Sequence, residues 1–290
     1  MSISQEKIKQ LERKAKEIRR TVIEALMNAG SGHTAGPLGM ADIFAYLFFH
    51  ALNHDPKKPN WPERDRLIVS NGHICPVLYA AMANTGYFPV KDLINGLRKF
   101  GSPFQGHPHR DFLPALETSS GPLGEGLSQA AGMALAERAD FGIQGRTLDL
   151  KKGSTFMSKF FFCILSDAEL QEGNIWEAVM LAAKEKLGNL IAIVDHNKIQ
   201  IDGWTEEIMP LEPLREKWEA FGWHTAEING HDFQELDTAI SAAKIFHTKP
   251  SVIIAHTIAG KGVKEFENKP EWHGRAPSKE EGERALKELQ

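Results

Sequence analysis

The sequence predicts an α/β fold with a mostly parallel central sheet and helices on both faces. Three observations carry this expectation. Short, continuous apolar runs, partly β-branched or aromatic, recur at Phe160-Phe161-Phe162-Cys163-Ile164-Leu165, Leu190-Ile191-Ala192-Ile193-Val194 and Ser251-Val252-Ile253-Ile254-Ala255, as strands buried on both faces require. Stretches with helical spacing lie between them. Strand and helix alternate over most of the chain, the pattern of a covered parallel sheet.

The elements follow in order. Ile8, Leu11, Ala15, Ile18, Val22 and Leu26 recur at steps of three and four among Lys, Glu and Arg, which predicts an amphipathic helix ending near Gly30. The glycine-rich stretch 30–39 interrupts it. A second helix is expected over about 40–52, then a Pro-rich loop over 55–62. Arg66-Leu67-Ile68-Val69-Ser70 reads as a strand running into Asn71-Gly72-His73. Residues 103–108 read as a loop, and 119–126 open an Ala-rich helix reaching about Glu137. Between the first two apolar runs a helix is expected over about 175–186, closed by Gly188. Thr225-Ala226-Glu227-Ile228 adds a strand, 233–244 a helix, and a charged helix begins at Ser278-Lys279-Glu280-Glu281.

A chain of 290 residues with 42% hydrophobic content can bury a full core, and no composition break divides it, so 1–290 is expected to form one domain. A net charge of −4 and a pI near 6.3 give no electrostatic reason to expect nucleic acid or an anionic membrane as partner. There is no apolar run long enough to cross a bilayer, and residues 1–7 lack a signal-peptide core, so a cytoplasmic location is expected. Cys75 and Cys163 fall in different predicted elements, one inside an apolar strand, which argues against a disulfide framework.

The most informative segments are Leu165-Ser166-Asp167-Ala168-Glu169-Leu170-Gln171-Glu172-Gly173-Asn174 and Asp195-His196-Asn197-Lys198-Ile199-Gln200-Ile201-Asp202-Gly203. Each follows an apolar run, so Asp167 and Asn197 stand at the carboxyl ends of two parallel strands. Open α/β sheets bind ligands at that edge, and an Asp with an Asn supplies the hard oxygen donors that Mg²⁺ on a diphosphate requires. Alone, Asp167 would more often be a helix cap. Among the histidines, His33, His73 and His107 each follow a glycine, and His273 precedes one. Singly, such residues cap or pack; four beside predicted strand ends suggest donors converging on one pocket. Their spacing is not that of zinc ligands. His50, His54, His109, His224, His231, His247 and His256 have no motif support, and His196 gains no role from adjacency to Asn197. Lys261, between two glycines, either meets an anion or is solvated.

The Asp167 and Asn197 segments resemble the thiamine-diphosphate fingerprint in the form it takes in transketolases. Ser31-Gly32-His33-Thr34-Ala35-Gly36-Pro37-Leu38-Gly39, Ser70-Asn71-Gly72-His73, Gly106-His107-Pro108, Gly121-Pro122-Leu123-Gly124, Gly260-Lys261-Gly262-Val263 and Trp272-His273-Gly274 are similar to further motifs of that family and keep its order over nearly the whole chain. Thr34 stands where the family has proline, and Ser166 and Ala168 replace the glycines that flank the aspartate. At Ala168 a methyl group costs roughly 1–2 kcal/mol if φ is positive and little if φ is negative.

The resemblance implies thiamine diphosphate and Mg²⁺ as cofactors, with Ca²⁺ or Mn²⁺ as substitutes. Asp167, Asn197 and the Ile199 carbonyl would hold the metal, and N–H groups after Asp167, that of Ala168 included, would meet the phosphates. It further implies that His73 and His273 contact the diphosphate, that His33, His107 and His273 line the donor-sugar channel as catalytic residues, that Gly121 and Leu123 border the aminopyrimidine and thiazolium, that Ile201 packs on the ring system, and that Glu172 joins an acidic network between cofactor sites. The pyrimidine-binding and C-terminal domains of the family have no counterpart in this chain. It therefore resembles the N-terminal subunit of a split transketolase, active on sugar phosphates with a C-terminal partner subunit in an α₂β₂ heterotetramer. Two alternatives stand beside this: a subunit of deoxyxylulose-phosphate synthase or 2-oxo-acid dehydrogenase type, against which the 106–108, 121–124 and 272–274 motifs argue, and a non-catalytic regulatory subunit, for which the replaced glycines argue.

Overall fold

Helix α1 (Gln5–Ala29) starts where the Ser4 hydroxyl accepts the Lys7 N–H and stops at Gly30, whose left-handed backbone returns its N–H to the Leu26 carbonyl. Its stripe Leu11, Ile18, Val22 and Leu26 is fully buried. The protein is seen here as a computed structural model describing residues 3–143, 159–246 and 248–290, with the side chains of all of these save 139–143. His247 lies outside the described residues.

Two short helices follow, α2 (Ala35–Gly39) and α3 (Ala41–Tyr46), and then a π-helical turn at Leu47–Ala51. The single helix expected over 40–52 thus widens at its end, where the Leu52 N–H reaches the Leu47 carbonyl at 2.9 Å. Strand β1 (Arg66–Val69) passes through a 3₁₀ turn at Gly72–Ile74 into α4 (Cys75–Thr85) and α5 (Val90–Gly96). Sequence reading assigned nothing to the last two. Helix α4 is buried at every position from Cys75 to Ala83 and so has no polar face to set a period. Helix α6 (Glu125–Ile143) runs past its expected end at Glu137.

The predicted strand–helix–strand unit is β2 (Phe161–Ser166), a 3₁₀ turn (Ala168–Gln171), α7 (Gly173–Lys184) and β3 (Leu190–His196). The helix end differs from expectation. Lys186, not Gly188, takes the left-handed turn, with φ 51°, because the Lys186 and Leu187 N–H groups already close on the Ala183 and Ala182 carbonyls. A hairpin of β4 (Ile199–Gln200) and β5 (Gly203–Trp204) precedes α8 (Thr205–Ile208) and α9 (Leu214–Ala220). The chain continues through β6 (His224–Asn229), α10 (Phe233–Ile245), β7 (Ser251–His256) and α11 (Lys279–Glu288), the last opened by a Ser278–Glu281 capping box.

The main sheet is parallel throughout, in the order β1-β2-β3-β7-β6. Alternation along each strand divides the core. Phe162, Ile164, Ile191, Ile193 and Ile253 face Leu11, Phe44, Val77 and Leu236 of α1, α3, α4 and α10. Phe161, Cys163, Leu190, Val194 and Ile254 face Leu127, Val179 and Trp218 of α6, α7 and α9. Both faces are covered, which is why the strands read as unbroken apolar runs. Cys75 and Cys163 are buried and unbridged, and no helix among the described residues is long and apolar enough to cross a membrane.

Parallel strands deliver their carboxyl ends to one edge. The residues that follow β1, β2, β3 and β7 there are Ser70, Asp167, Asn197 and Thr257, so the polar residues of interest share that edge. Ile193 sits fully buried in the central strand. Ile193→Ala should lower stability by about 2–5 kcal/mol, read in urea as a reduced midpoint with an unchanged slope.

Candidate active site

Asp167 is 0% exposed. Its Oδ1 accepts the Ala168 N–H at 2.7 Å and its Oδ2 the Lys198 N–H at 2.5 Å. Lys198 adopts φ 65° to aim that N–H, a left-handed conformation that costs a side-chain-bearing residue roughly 1–2 kcal/mol. Next to it, the Asn197 Oδ1 accepts the Ile199 N–H at 2.9 Å, and its Nδ2 donates to Asp195 Oδ2 at 2.9 Å. The Thr257 hydroxyl donates to the other Asp195 oxygen. Burial pushes the Asp195 carboxyl up to about 7, with the charge of Asp167 adding to it and the Thr257 and Asn197 hydrogen bonds opposing.

A third carboxylate completes this edge. Glu169 accepts the Ser70 hydroxyl and the Gly124 N–H (2.7 Å) on Oε1 and the Ser166 N–H (3.2 Å) on Oε2. Ser70 in turn accepts the Gly126 N–H at 3.0 Å. Burial raises the Glu169 carboxyl despite these bonds. Gly124 is required here: its φ is 85°, and a methyl group would sit 2.0 Å from Asn174 Oδ1. His196 packs behind Asp167 with Nδ1 3.3 Å from Oδ2, too poorly aligned for a hydrogen bond, and with Nε2 3.2 Å from Glu212. Burial lowers its value, but the Asp167 and Glu212 carboxylates win and hold it raised.

Opposite the carboxylates lies a histidine cluster. Ring centroids of His33 and His73 are 5.0 Å apart, of His33 and His273 5.5 Å, and of His73 and His273 5.2 Å. Burial, followed by the charges of His273, Arg98 and His107, lowers His33 to about 4. His73 is held well below its ordinary value by burial and by His273, His33 and His107. His107 is lowered by burial and Arg98, and His273 by burial, with Asp167 pulling the other way. At neutral pH these imidazoles are uncharged, each with a donor and an acceptor nitrogen.

A buried brace stands behind the two loops. Arg19 binds both Asp42 oxygens at 3.0 and 2.6 Å and the Leu38 carbonyl at 3.1 Å. His231 Nδ1 meets Asp42 at 2.6 Å, while its Nε2 accepts the Ile258 N–H at 2.8 Å, which puts the ring proton on Nδ1.

The residues predicted from sequence divide accordingly. His33, His73, His273, Asp167, Asn197 and Ile199 gather at the strand ends, and His107 joins them through Gly121, where a methyl group would lie 3.8 Å from its ring. Leu123 is half-buried beside Gly124. Ala168 has negative φ, so its methyl is tolerated, but its N–H is turned onto Asp167. Two residues stand apart: Glu172 is exposed at the start of α7, and Ile201 is 71% exposed at the tip of the β4–β5 hairpin. Sequence reading missed Glu169, Asp195, Thr257 and Arg98 and gave His196 no role. The spacing Asp195-x-Asn197 was the one signal available, since both side chains leave a strand end on the same face. Of the histidines without motif support, His54 bonds the nearby Phe48 carbonyl, His50, His231 and His256 bond partners distant in the chain, and His109 and His224 stack on Phe112 and Phe246.

Residues 10–289 match the family model described as "Transketolase, thiamine diphosphate binding domain". The chain belongs to the transketolase family. It corresponds to the N-terminal part of those enzymes. It is 40% identical over 280 residues to the 6-deoxy-6-sulfo-D-fructose transketolase subunit SqwG of Clostridium sp. (strain MSTE9), covering 97% of this chain and 96% of that one. It is 38% identical to an apulose-4-phosphate transketolase subunit of Actinobacillus succinogenes, again over 97% and 96%. Against human transketolase the identity is 35%, over 98% of this chain but 43% of that one. The transketolase of Leishmania mexicana superposes with a TM-score of 0.89 at 33% identity, over 96% of this chain and 41% of that structure. The chain therefore spans about two fifths of the solved transketolases and nearly all of the named subunits.

The transketolase fold and a thiamine-diphosphate-binding domain accord with what the edge offers. The buried Asp167 and Asp195 act on each other electrostatically, and neither has a lysine or arginine in ion-pair range among the described residues, a pairing of acids that a bound cation would relieve. No three His, Cys, Asp or Glu side chains among the described residues converge as metal ligands, so a cation would draw on Asp167, amide oxygens and its own ligand. Both polar atoms of the fully buried Asn71 lack a partner among the described residues, which a bound polar group would supply.

Two outcomes follow from this geometry. Gly124→Ala should destabilise by at least about 1–2 kcal/mol from φ alone, and adding Asn174→Ala should recover only the part due to the clash, as thermal denaturation would read. Because the folded His33 value of about 4 lies below the unfolded 6.5, stability should be complete above the upper value and fall as pH drops toward the lower. His33→Gln should flatten that acid limb in a pH series of unfolding midpoints.

Proposed function

We propose that this chain is the N-terminal, diphosphate-holding subunit of a two-polypeptide transketolase, moving a two-carbon ketol unit from a ketose to an aldose acceptor with thiamine diphosphate and Mg²⁺. The observation that carries the reading is the meeting of a fully buried Asp167 and its neighbour Asn197 with the uncharged His33, His73 and His273 at one sheet edge. The relatives named as transketolase subunits, SqwG among them, match this chain end to end and support a partner polypeptide. That partner would carry the pyrimidine-binding half and the C-terminal domain in an α₂β₂ heterotetramer.

Asp167, the Asn197 carboxamide and the Ile199 carbonyl would hold the metal, with Ca²⁺ or Mn²⁺ able to replace Mg²⁺ at such oxygen donors. When bound, thiamine diphosphate supplies the electron sink for the carbanion of ketol transfer. The protein's own work is positional and protic. Asp195 fixes the Asn197 amide so that its oxygen cannot exchange places with its nitrogen. His73 and His273 would hydrogen-bond the diphosphate, and Gly121 and Leu123 would border the rings. His33, His107 and His273, neutral near pH 7, are suited to take a proton from a sugar hydroxyl and return it. Glu172 and Ile201, exposed here, would be covered on assembly, Glu172 in an acidic network between cofactor sites and Ile201 against the ring system. The substrates would be sugar phosphates of the pentose phosphate type or their anionic analogues, in the cytoplasm.

Ketol transfer should be absent from the purified chain and appear on adding its C-terminal partner; robust transfer by the chain alone would refute the two-subunit reading. In the assembled complex, Asp167→Ala should abolish thiamine diphosphate binding by calorimetry, whereas Ala168→Gly, at a residue of negative φ, should leave affinity within about twofold, a change under about 0.5 kcal/mol. Unchanged affinity in the Asp167 variant would remove the metal anchor.

A further inference from the structure

The hydroxyl of Thr34, a fully buried residue, donates to the Arg275 carbonyl at 2.5 Å, across 241 residues of chain. Among the described residues no other hydrogen bond links residues 31–35 with 272–276. His33 adjoins one end of this bond and His273 lies two residues from the other, with their ring centroids 5.5 Å apart. Between them Gly274 runs close past the imidazole, where a methyl group would lie 3.9 Å from His33 Nε2.

The acceptor is anchored from its far side. The Arg275 guanidinium lies 4.2 Å over the Trp272 ring and bonds Glu281, which closes the capping box of α11. Trp272 is itself buried against Phe266, with ring centroids 3.8 Å apart. The donor has less support. Thr34 has φ −109°, well away from the value of about −65° that the family's proline would impose, so no ring stiffens the turn after His33. The Gly260 N–H holds the Ala35 carbonyl at 2.8 Å, which ties this loop to the residues after β7 but not to the loop of His273. The hydrogen-bonded link toward His273 is therefore the Thr34 hydroxyl.

We infer that Thr34 is a positioning residue for ketol transfer: by latching its loop to the Arg275 carbonyl, the hydroxyl sets the separation of His33 from His273 at the reacting sugar. This rests on the transketolase reading above. Thr34 touches no reacting atom. His33 faces His73, His273, His107 and Arg98, and burial among them holds it at about 4. Opening the latch admits water to that cluster and lets the value rise, so the imidazole reports the latch without turnover.

The test uses Thr34→Val, which keeps the shape and loses the hydroxyl, and Thr34→Ser, which keeps the hydroxyl. Arg275→Ala loosens the acceptor at a side chain that is half exposed, where folding is not at stake. NMR titration of the full chain follows the His33 imidazole, its signal assigned with His33→Gln. Wild type and Thr34→Ser should titrate alike, Thr34→Val at least about one pH unit higher, and Arg275→Ala between them. In the complex with the partner polypeptide, kcat of Thr34→Val should fall roughly 10- to 100-fold, the loss that a misplacement of about 1 Å can produce, with Thr34→Ser within about threefold of wild type. An unchanged His33 titration in both Thr34→Val and Arg275→Ala would overturn the inference, as would an unchanged kcat in Thr34→Val. Equal losses in the valine and serine variants would also overturn it, by assigning the effect to packing. A wild-type complex that transfers no ketol unit, while His33 still shifts in Thr34→Val, would instead count against the transketolase reading and leave the latch in place.

Discussion

The Asp167 carboxylate lies at full burial between the ends of β2 and β3, where it accepts the Ala168 and Lys198 N–H groups. A charge placed there without compensation would cost several kcal/mol, and the surrounding structure is organised to meet that cost. Lys198 bends into the left-handed region to deliver its amide. The β4–β5 hairpin follows directly, because the Lys198 carbonyl then accepts the Thr205 N–H at 2.9 Å. Asn197 is fixed by Asp195, and Asp195 by Thr257, so three strand ends are tied through one chain of hydrogen bonds.

Glu169 does for the first strand and α6 what Asp195 does for β7. By holding Ser70, Gly124 and Ser166 at once, it joins the ends of β1 and β2 to the N-terminus of α6, and with it the Gly121–Gly124 turn. The histidine loops are then set against these from the other side, with the Arg19–Asp42–His231 brace keeping the Leu38 and Ile258 segments in step. The result is a site whose donors are rigidly presented while the imidazoles remain uncharged.

Much of this was legible in the sequence. The strands announced themselves because burial on both faces leaves an unbroken apolar run, and Asp167 and Asn197 because each follows such a run at a ligand-binding edge. The four glycine-flanked histidines were legible as a set, though not one of them was by itself. What escaped reading shares a physical cause. Helix α4 is apolar all round, so no period marks it. Asp195 and Glu169 are buried acids, and nothing local distinguishes a buried acid from a solvated one; only the partners brought by Thr257, Ser70 and Gly124 do. Arg98 carries no mark in the sequence, since its berth against Gly32 and Gly106 exists only in three dimensions. Lys186 displaced Gly188 as the turn because the Lys186 and Leu187 N–H groups already cap the Ala183 and Ala182 carbonyls.

The bonds that define the site join distant parts of the chain: Asp195 to Thr257 across 62 residues, Ser70 to Glu169 across 99, and Thr34 to Arg275 across 241. None can form from local structure, and each requires loop-closure entropy to be met first. The complete site therefore exists only in the folded chain. A half-folded chain would lack this edge, so any ligand that binds it in the native chain would draw the whole folding equilibrium toward the native state. Occupancy of this edge would thus act as a certificate of correct folding.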